Sequence, residues 1–380
     1  MQITAMGFST RAIHTGSEPG EQGEVVPAIY LATTYKHEAL GKHGKFEYGR
    51  TGNPTRDAFE RQIAALEEGT YGLAFASGLA AIDCVLKMLK KGDNIVAGDD
   101  LYGGTRRLLT RVYEKFGINV KFVNTTDIDA VRKAVTDDVK LLWLETPSNP
   151  ILKVSDIKGI VDAVKRDDLI IAVDNTFMTP YFQKPLLLGA NIVVHSTSKY
   201  LAGHSDIIGG AIVVNDEELY KELKFHQNAT GAVMGAFDSW LLLRSIKTLS
   251  VRMEKHNSNA QKVAEWLTVQ KNVRRVYYPG LADNEHHHIA KSQMSGFGGV
   301  VSFEIEEHDK FLPKLKMISL AESLAGVESL ISHPASMSHG SVAKEERERL
   351  GITDNLLRLS VGIEDAEDII SDLKQAMEKI

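Results

Sequence analysis

Apolar residues along this chain fall into short β-branched runs separated by stretches with helical spacing. Runs at 73–76, 94–98, 119–123, 140–144, 169–173, 191–194 and 211–214 each suit a buried strand. Helical patterns follow most of them, and Phe59, Ile63 and Leu66 share one face of a helix predicted over 56–67. Alternation of strand and helix predicts an α/β fold with a mainly parallel sheet covered on both faces. After 214 the pattern predicts a helix to about 225 and one long helix over 236–267. Beyond it, strands near 273–278, 299–304, 327–331 and 356–361 mix with helices at 309–315 and 365–380, as in a smaller α+β domain with an antiparallel sheet. The first 51 residues are rich in Gly, His and polar groups and read as an extended arm. The expected organisation is an arm over 1–51, a large domain over 52–250 and a small one over 251–380, in line with 380 residues being too many for one ordinary core.

Composition narrows the classes of function. Hydrophobic residues make up 43% and charged ones 25%, as in globular proteins. A net charge of −6 carries no basic footprint, so neither nucleic acid nor an anionic membrane is an expected partner. The single cysteine, Cys84, rules out an internal disulfide framework and a cysteine-based zinc site, and it falls in a predicted buried helix. The start lacks a basic segment followed by an apolar core, and no run reaches the roughly 18 apolar residues of a membrane span. A cytoplasmic location is expected. His286, His287 and His288 read as surface, since adjacent residues point apart and make poor co-ligands; no metal is expected.

Candidate chemistry gathers around the strand predicted at 191–194. It runs into Ser196, Thr197, Ser198 and then Lys199 among glycines, at the strand end where open α/β sheets hold ligands. A lysine desolvated there keeps part of its amine neutral, and neutral amines form Schiff bases. Asp174 ends the apolar run 25 residues earlier, a distance that allows one crossover to a neighbouring strand. Lysine and acid in one crevice are what pyridoxal phosphate requires, the acid keeping the pyridine nitrogen protonated. Elsewhere each signal has two readings. Ser77 and Gly78 open a helix and form either a phosphate cradle or an ordinary cap. Tyr102 follows a strand and is either a stacking ring or a half-buried tyrosine. Asn149 lies in a proline-stiffened loop, able to donate to a cofactor oxygen or simply structural. Tyr48 and Arg50 precede a Gly-Asn-Pro turn and suit a phosphate or solvent. Arg358 interrupts an apolar strand, so it needs either a substrate carboxylate or a buried acid.

These residues stand within YGRTGNPTR, FASGLAA, DDLYGGT, ETPSNP, VDNTF, HSTSKYLAGHSD, AESLAGVESL and LLRLSVGIED. In that order they resemble the pyridoxal-phosphate enzymes of cysteine and methionine metabolism, almost end to end. The resemblance implies the type I, aspartate aminotransferase-like fold of pyridoxal-phosphate transferases. It implies Lys199 as the Schiff-base lysine, Asp174 as the partner of the pyridine nitrogen, and Tyr102 as a stacking ring that exchanges protons. It assigns the phosphate to Gly78, Leu79, Ser196 and Ser198 and places Ser77 among the cofactor-binding residues, with Tyr48 and Arg50 reaching the phosphate of a neighbouring subunit in a homotetramer of two active dimers. Arg358, Ser323 and Asn149 would take the carboxylate of a small amino-acid substrate. Glu328 and Glu47 resemble the acid pair with which cystathionine-handling members hold the distal amino group. Gly104 stands where methionine γ-lyases typically carry a cysteine, which argues against that activity. Within the family, VDNTFMTPYFQKPL looks closer to γ-lyases and GAFDSWLLLRSIKTL to γ-synthases; cystathionine γ-lyase is the leading expectation and cystathionine γ-synthase its alternative.

Overall fold

The structure, a computed structural model, describes residues 5–20, 22–340 and 342–380. Seven strands form the larger sheet: β1 (Tyr71–Phe75), β2 (Asn94–Gly98), β3 (Asn119–Val123), β4 (Val139–Glu145), β5 (Ile170–Asp174), β6 (Ile192–Ser196) and β7 (Gly210–Val214). Their order is β1-β7-β6-β5-β4-β2-β3. Neighbours from β6 to β3 pair in parallel, whereas β7 is antiparallel to both β1 and β6. No helix separates β6 from β7, so the chain turns back instead of crossing over, and that turn carries Lys199. Side-chain alternation splits each strand between two cores. Ile192 and Val194 pack with Leu73, Ile95 and Trp143 on one face, while Val193 packs with Phe59, Ile63 and Leu243 on the other.

The second sheet comprises β8 (Val273–Tyr277), β9 (Val300–Ile305), β10 (Ser319–Leu320), β11 (Leu330–Ser332) and β12 (Leu356–Ser360), ordered β10-β11-β12-β9-β8. It is antiparallel except for the short β10–β11 pair. Val263, Phe303, Ile331, Leu357 and Leu373 form its core. The helix Leu249–Thr268 serves both bodies: Leu249 and Met253 belong to a core of the first sheet, Ala260, Val263 and Leu267 to that of the second.

Several elements differ from their expected form. The long helix over 236–267 is two helices, Ala236–Ile246 and Leu249–Thr268. At the break, Ser245 O accepts from the side chains of Thr248 (3.1 Å) and Arg252 (3.0 Å). Side chains there take over a carbonyl, which apolar periodicity does not register. The strand expected at 327–331 shrinks to β11, because the Val327 N–H donates to Gly203 O (3.0 Å) and the Ser329 N–H to Glu364 Oε1 (2.6 Å), outside any strand pairing. Helix 309–315 is a single turn, His308–Phe311, followed by the 3-10 turn Leu312–Lys314.

The arm is not extended throughout either. Phe8–His14 is a helix seated on the chain's own helix Pro54–Leu66, where Gln62 Nε2 donates to Ala12 O (2.7 Å) and Arg11 Nη1 to Ala65 O (2.9 Å). Beyond it the segment through Val25, Leu31 and Leu40 leaves those side chains 80%, 74% and 102% exposed. His286 and His287 are half-buried rather than surface, and His287 Nδ1 lies 2.8 Å from Pro279 O. Among the described residues no cluster is suited to hold a metal ion, and no helix is long and apolar enough to cross a membrane.

Candidate active site

The carboxyl ends of β4, β5 and β6 open on a cavity of about 240 Å³ that the second sheet closes from the other side. Ser77, Gly78, Leu79, Tyr102, Asn149, Asp174, Ser196, Ser198, Lys199, Ser323 and Arg358 all line it. Eleven residues spread over most of the chain therefore meet in one place. Tyr48, Arg50, Glu47 and Glu328 do not line the cavity of their own chain. Arg50 Nη1 donates instead to Asn228 O (2.5 Å), Glu47 lies 3.4 Å from His43 Nε2, and Glu328 is exposed. A larger open hollow, about 640 Å³ beside β8, contains none of the candidate residues, so size alone does not mark the site.

Lys199 Nζ donates to Ser323 Oγ at 2.5 Å. Burial, and then the nearby Arg358 charge, push its amine down to about 8, while Glu322 acts in the opposite sense. Asp174 is 9% exposed, accepts the Thr176 N–H (3.0 Å), and is raised above the usual carboxylate range by burial. It pairs in register with Glu145 on β4, itself 6% exposed. Burial, and then the Asp174 charge, push Glu145 well above its ordinary value. Behind them a polar network ties the strand ends together: Glu67 Oε1 accepts from Asn175 Nδ2 (2.9 Å) and lies 2.5 Å from His195 Nε2.

Arg358 on β12 is 3% exposed, and its guanidinium meets no carboxylate. Nη1 donates to Asn149 Oδ1 and Nη2 to Ser323 O, both at 2.8 Å, and Nε has no partner. Burial lowers it to about 10. A buried guanidinium held by two neutral acceptors, with an N–H left over, is prepared for an incoming anion.

At the other end, Ser77 caps the helix Gly78–Leu86 by accepting the Ala80 N–H (3.0 Å), which leaves the amides of Gly78 and Leu79 without a helical acceptor. A Cβ on Gly78 would lie 2.9 Å from Ser196 Cβ, so only glycine fits this approach. Ser198 Oγ accepts the Gly209 N–H (3.0 Å), which holds the Lys199 turn against β7.

These features fit pyridoxal phosphate from end to end. Helix amides and hydroxyls suit its phosphate, a buried acid that forms no ion pair among the described residues suits its pyridine nitrogen, and a partly neutral lysine suits its aldehyde.

The comparisons with known proteins agree with that fit. The model of the Cys/Met metabolism PLP-dependent enzyme family matches residues 9–378. The chain belongs to this family. Its cofactor is pyridoxal phosphate, and it is an enzyme of carbon–sulfur chemistry with the type I fold. A cystathionine β-lyase of Lactococcus lactis is 50% identical over 98% of the chain and 99% of its own length. A cystathionine γ-lyase of Bacillus subtilis is 49% identical over 99% of the chain and all of its own length. Among solved structures, cystathionine γ-lyase from Lactobacillus plantarum complexed with L-serine has a TM-score of 0.96 at 44% identity, covering 99% of both chains. The crystal structure of metB from Corynebacterium glutamicum gives the same score and identity, covering all of this chain and 99% of that one.

Several wall residues escaped the sequence reading: Thr176, Phe177, Ile208, Glu322, Ser338 and Glu145. Of these, Glu145 offered a signal, being an acid at the carboxyl end of an apolar run, as Asp174 is.

Proposed function

We propose that this enzyme cleaves L-cystathionine by γ-elimination to L-cysteine, 2-oxobutanoate and ammonia. Amino-acid chemistry is supported by Arg358, a buried guanidinium with no carboxylate partner among the described residues, which shares one cavity with Lys199. Relatives named cystathionine lyases, alike over nearly the whole chain, supply the substrate class.

Arg358 takes the substrate's α-carboxylate through the N–H groups left over on its terminal nitrogens, while Asn149 and the Ser323 carbonyl keep the guanidinium plane fixed. When bound, pyridoxal phosphate supplies a ring that accepts the electron pair left when a bond at the substrate's α-carbon breaks. Asp174 holds the proton on the pyridine nitrogen. Lys199 Nζ, kept near Ser323 Oγ, takes the α-proton as general base. For γ-elimination the amine first delivers that proton to the bound cofactor, then takes one from the β-carbon and gives it to the sulfur as the γ-carbon–sulfur bond breaks, so that cysteine leaves as its thiol. Tyr102, 42% exposed at the mouth, covers the cofactor ring.

Glu47 of a neighbouring copy and Glu328 hold the substrate's distal ammonium. Gly104 weighs against methionine γ-lyase chemistry: a Cβ there would lie 2.4 Å from Tyr102 Cε1, leaving no room for a cysteine beneath the ring. Tyr48 and Arg50 lie exposed outside their own cavity and are read as phosphate ligands for a second copy, in an active dimer that doubles to a tetramer.

A second reading, β-elimination to homocysteine, pyruvate and ammonia, has the support of the Lactococcus relative. There the carbon–sulfur bond breaks after removal of the α-proton alone. A third, coupling of an O-acyl-L-homoserine with L-cysteine, shares the steps up to loss of the γ-substituent. Feeding the cofactor-loaded enzyme L-cystathionine, and separately the ester plus cysteine, separates the three. Cysteine with 2-oxobutanoate as the main products supports the proposal. Pyruvate with homocysteine in excess, or faster net formation of cystathionine than cleavage, replaces it.

A further inference from the structure

The peptide unit joining Leu101 to Tyr102 is gripped at both polar ends by side chains from different parts of the fold. Its N–H, that of Tyr102, donates to Glu145 Oε2 at 3.0 Å. Its carbonyl, that of Leu101, lies 3.2 Å from His339 Nε2. A carbonyl only accepts, so His339 carries its proton on Nε2. Nδ1 is then the acceptor for the Ser338 hydroxyl, 2.9 Å away, and Ser338 is itself part of the cavity wall.

The next residues leave the turn no slack. A Cβ on Gly103 would lie 2.3 Å from Ser338 O, and one on Gly104 would press into the Tyr102 ring. His339 is 2% exposed and Glu145 6%, whereas Tyr102 is 42% exposed. Packing alone therefore does not hold the ring; its backbone does. Burial brings His339 down to about 4, so the tautomer that serves the carbonyl persists at neutral pH. Glu145 ends β4 of the first sheet, and His339 follows β11, the neighbour of the strand that carries Arg358.

We propose that Glu145 and His339 are positioning residues that fix the Leu101–Tyr102 peptide from opposite sides, thereby setting the plane of the Tyr102 ring and tying it to the domain that carries Arg358. This rests on the reading of Tyr102 as the ring that covers the cofactor.

The test uses the visible circular dichroism of the cofactor band, per bound cofactor, in the loaded enzyme. His339→Gln places an N–H where Nε2 stands, whereas the shorter His339→Asn reaches Ser338 but stops short of Leu101. Glu145→Gln keeps an acceptor for the Tyr102 N–H, and Glu145→Met of similar length removes it. The Asn and Met variants are expected to lose roughly half the signal or more, and the two Gln variants to stay near wild type. In a Tyr102→Ala background the four substitutions should make no further difference, because coupled residues are not additive. Equal signals in Gln and Asn, or in Gln and Met, overturn the proposal, as does an undiminished effect without Tyr102. If Tyr102→Ala alone leaves the signal unchanged, the functional reading of that ring falls and the proposal with it. That case is distinct from failure of the clamp, in which Tyr102→Ala still alters the signal.

Discussion

A half-buried lysine amine beside an arginine gives up its proton more readily than a solvated one, and Lys199 shows the effect. Its amine sits at about 8 because burial and then Arg358 disfavour the ammonium form. Solvated lysines titrate near 10.4. In cofactor-free protein, labelling of Lys199 by an amine-selective reagent should therefore rise around a midpoint of about 8, with the amine protonated and slow below it. Peptide mapping by mass spectrometry across pH measures this; a midpoint shared with the surface lysines contradicts the burial argument. Lys199 and Asp174 were legible from sequence because each follows an apolar run at the strand end where such sheets hold ligands, and Arg358 because a charge inside an apolar strand needs a partner. Arg358 also had an alternative, a buried ion pair, and the structure decides against it by giving the guanidinium only neutral acceptors. Glu145 carries the same signal as Asp174, yet its importance depends on which strands lie side by side, and only the register of β4 with β5 supplies that.

At the scale of elements, the helix Gly78–Leu86 shows how a local motif becomes a site. Ser77 and Gly78 alone fit a plain cap equally well. What sets this helix start apart is that Ser196 at the end of β6 approaches Gly78 so closely that a methyl group is excluded, as a phosphate cradle would require. Gly78→Ala should accordingly weaken cofactor affinity roughly tenfold or more, about 1.4 kcal/mol, with the helix itself intact. Titration of the cofactor-free variant with pyridoxal phosphate tests this, and unchanged affinity would mean that the phosphate sits elsewhere. Strands were legible almost to the residue where apolar runs are short and bounded, as at 94–98 and 119–123. Helix continuity across 247–248 was not, because the break is made by Arg252 and Thr248 side chains on a carbonyl rather than by Gly or Pro.

For the whole molecule, the exposed segment before residue 54 raises the question of what covers it. Val25, Leu31 and Leu40 are apolar and open, and Tyr48 and Arg50 lie outside their own cavity. If two copies share each site, Arg50→Ala and Lys199→Ala chains should complement each other. A mixed dimer places both defects in one site and leaves the other intact, so an equal random mixture should recover about a quarter of full activity. Recovery near zero after verified subunit exchange would confine Arg50 to its own chain.

The sequence by itself determined the alternation of strand and helix, the two sheet-bearing bodies, the lysine with its acid, and the family with its cofactor. Each of these is a local matter of apolar periodicity or of residues close along the chain. The tertiary structure alone decided what surrounds them: Glu145 beside Asp174, Arg358 freed from any acid, and the Tyr102 turn held between Glu145 and His339. Those contacts join residues up to 238 positions apart. Which distant groups meet depends on strand order and on how one sheet docks against the other, and hydrophobic spacing along a single element carries no record of that.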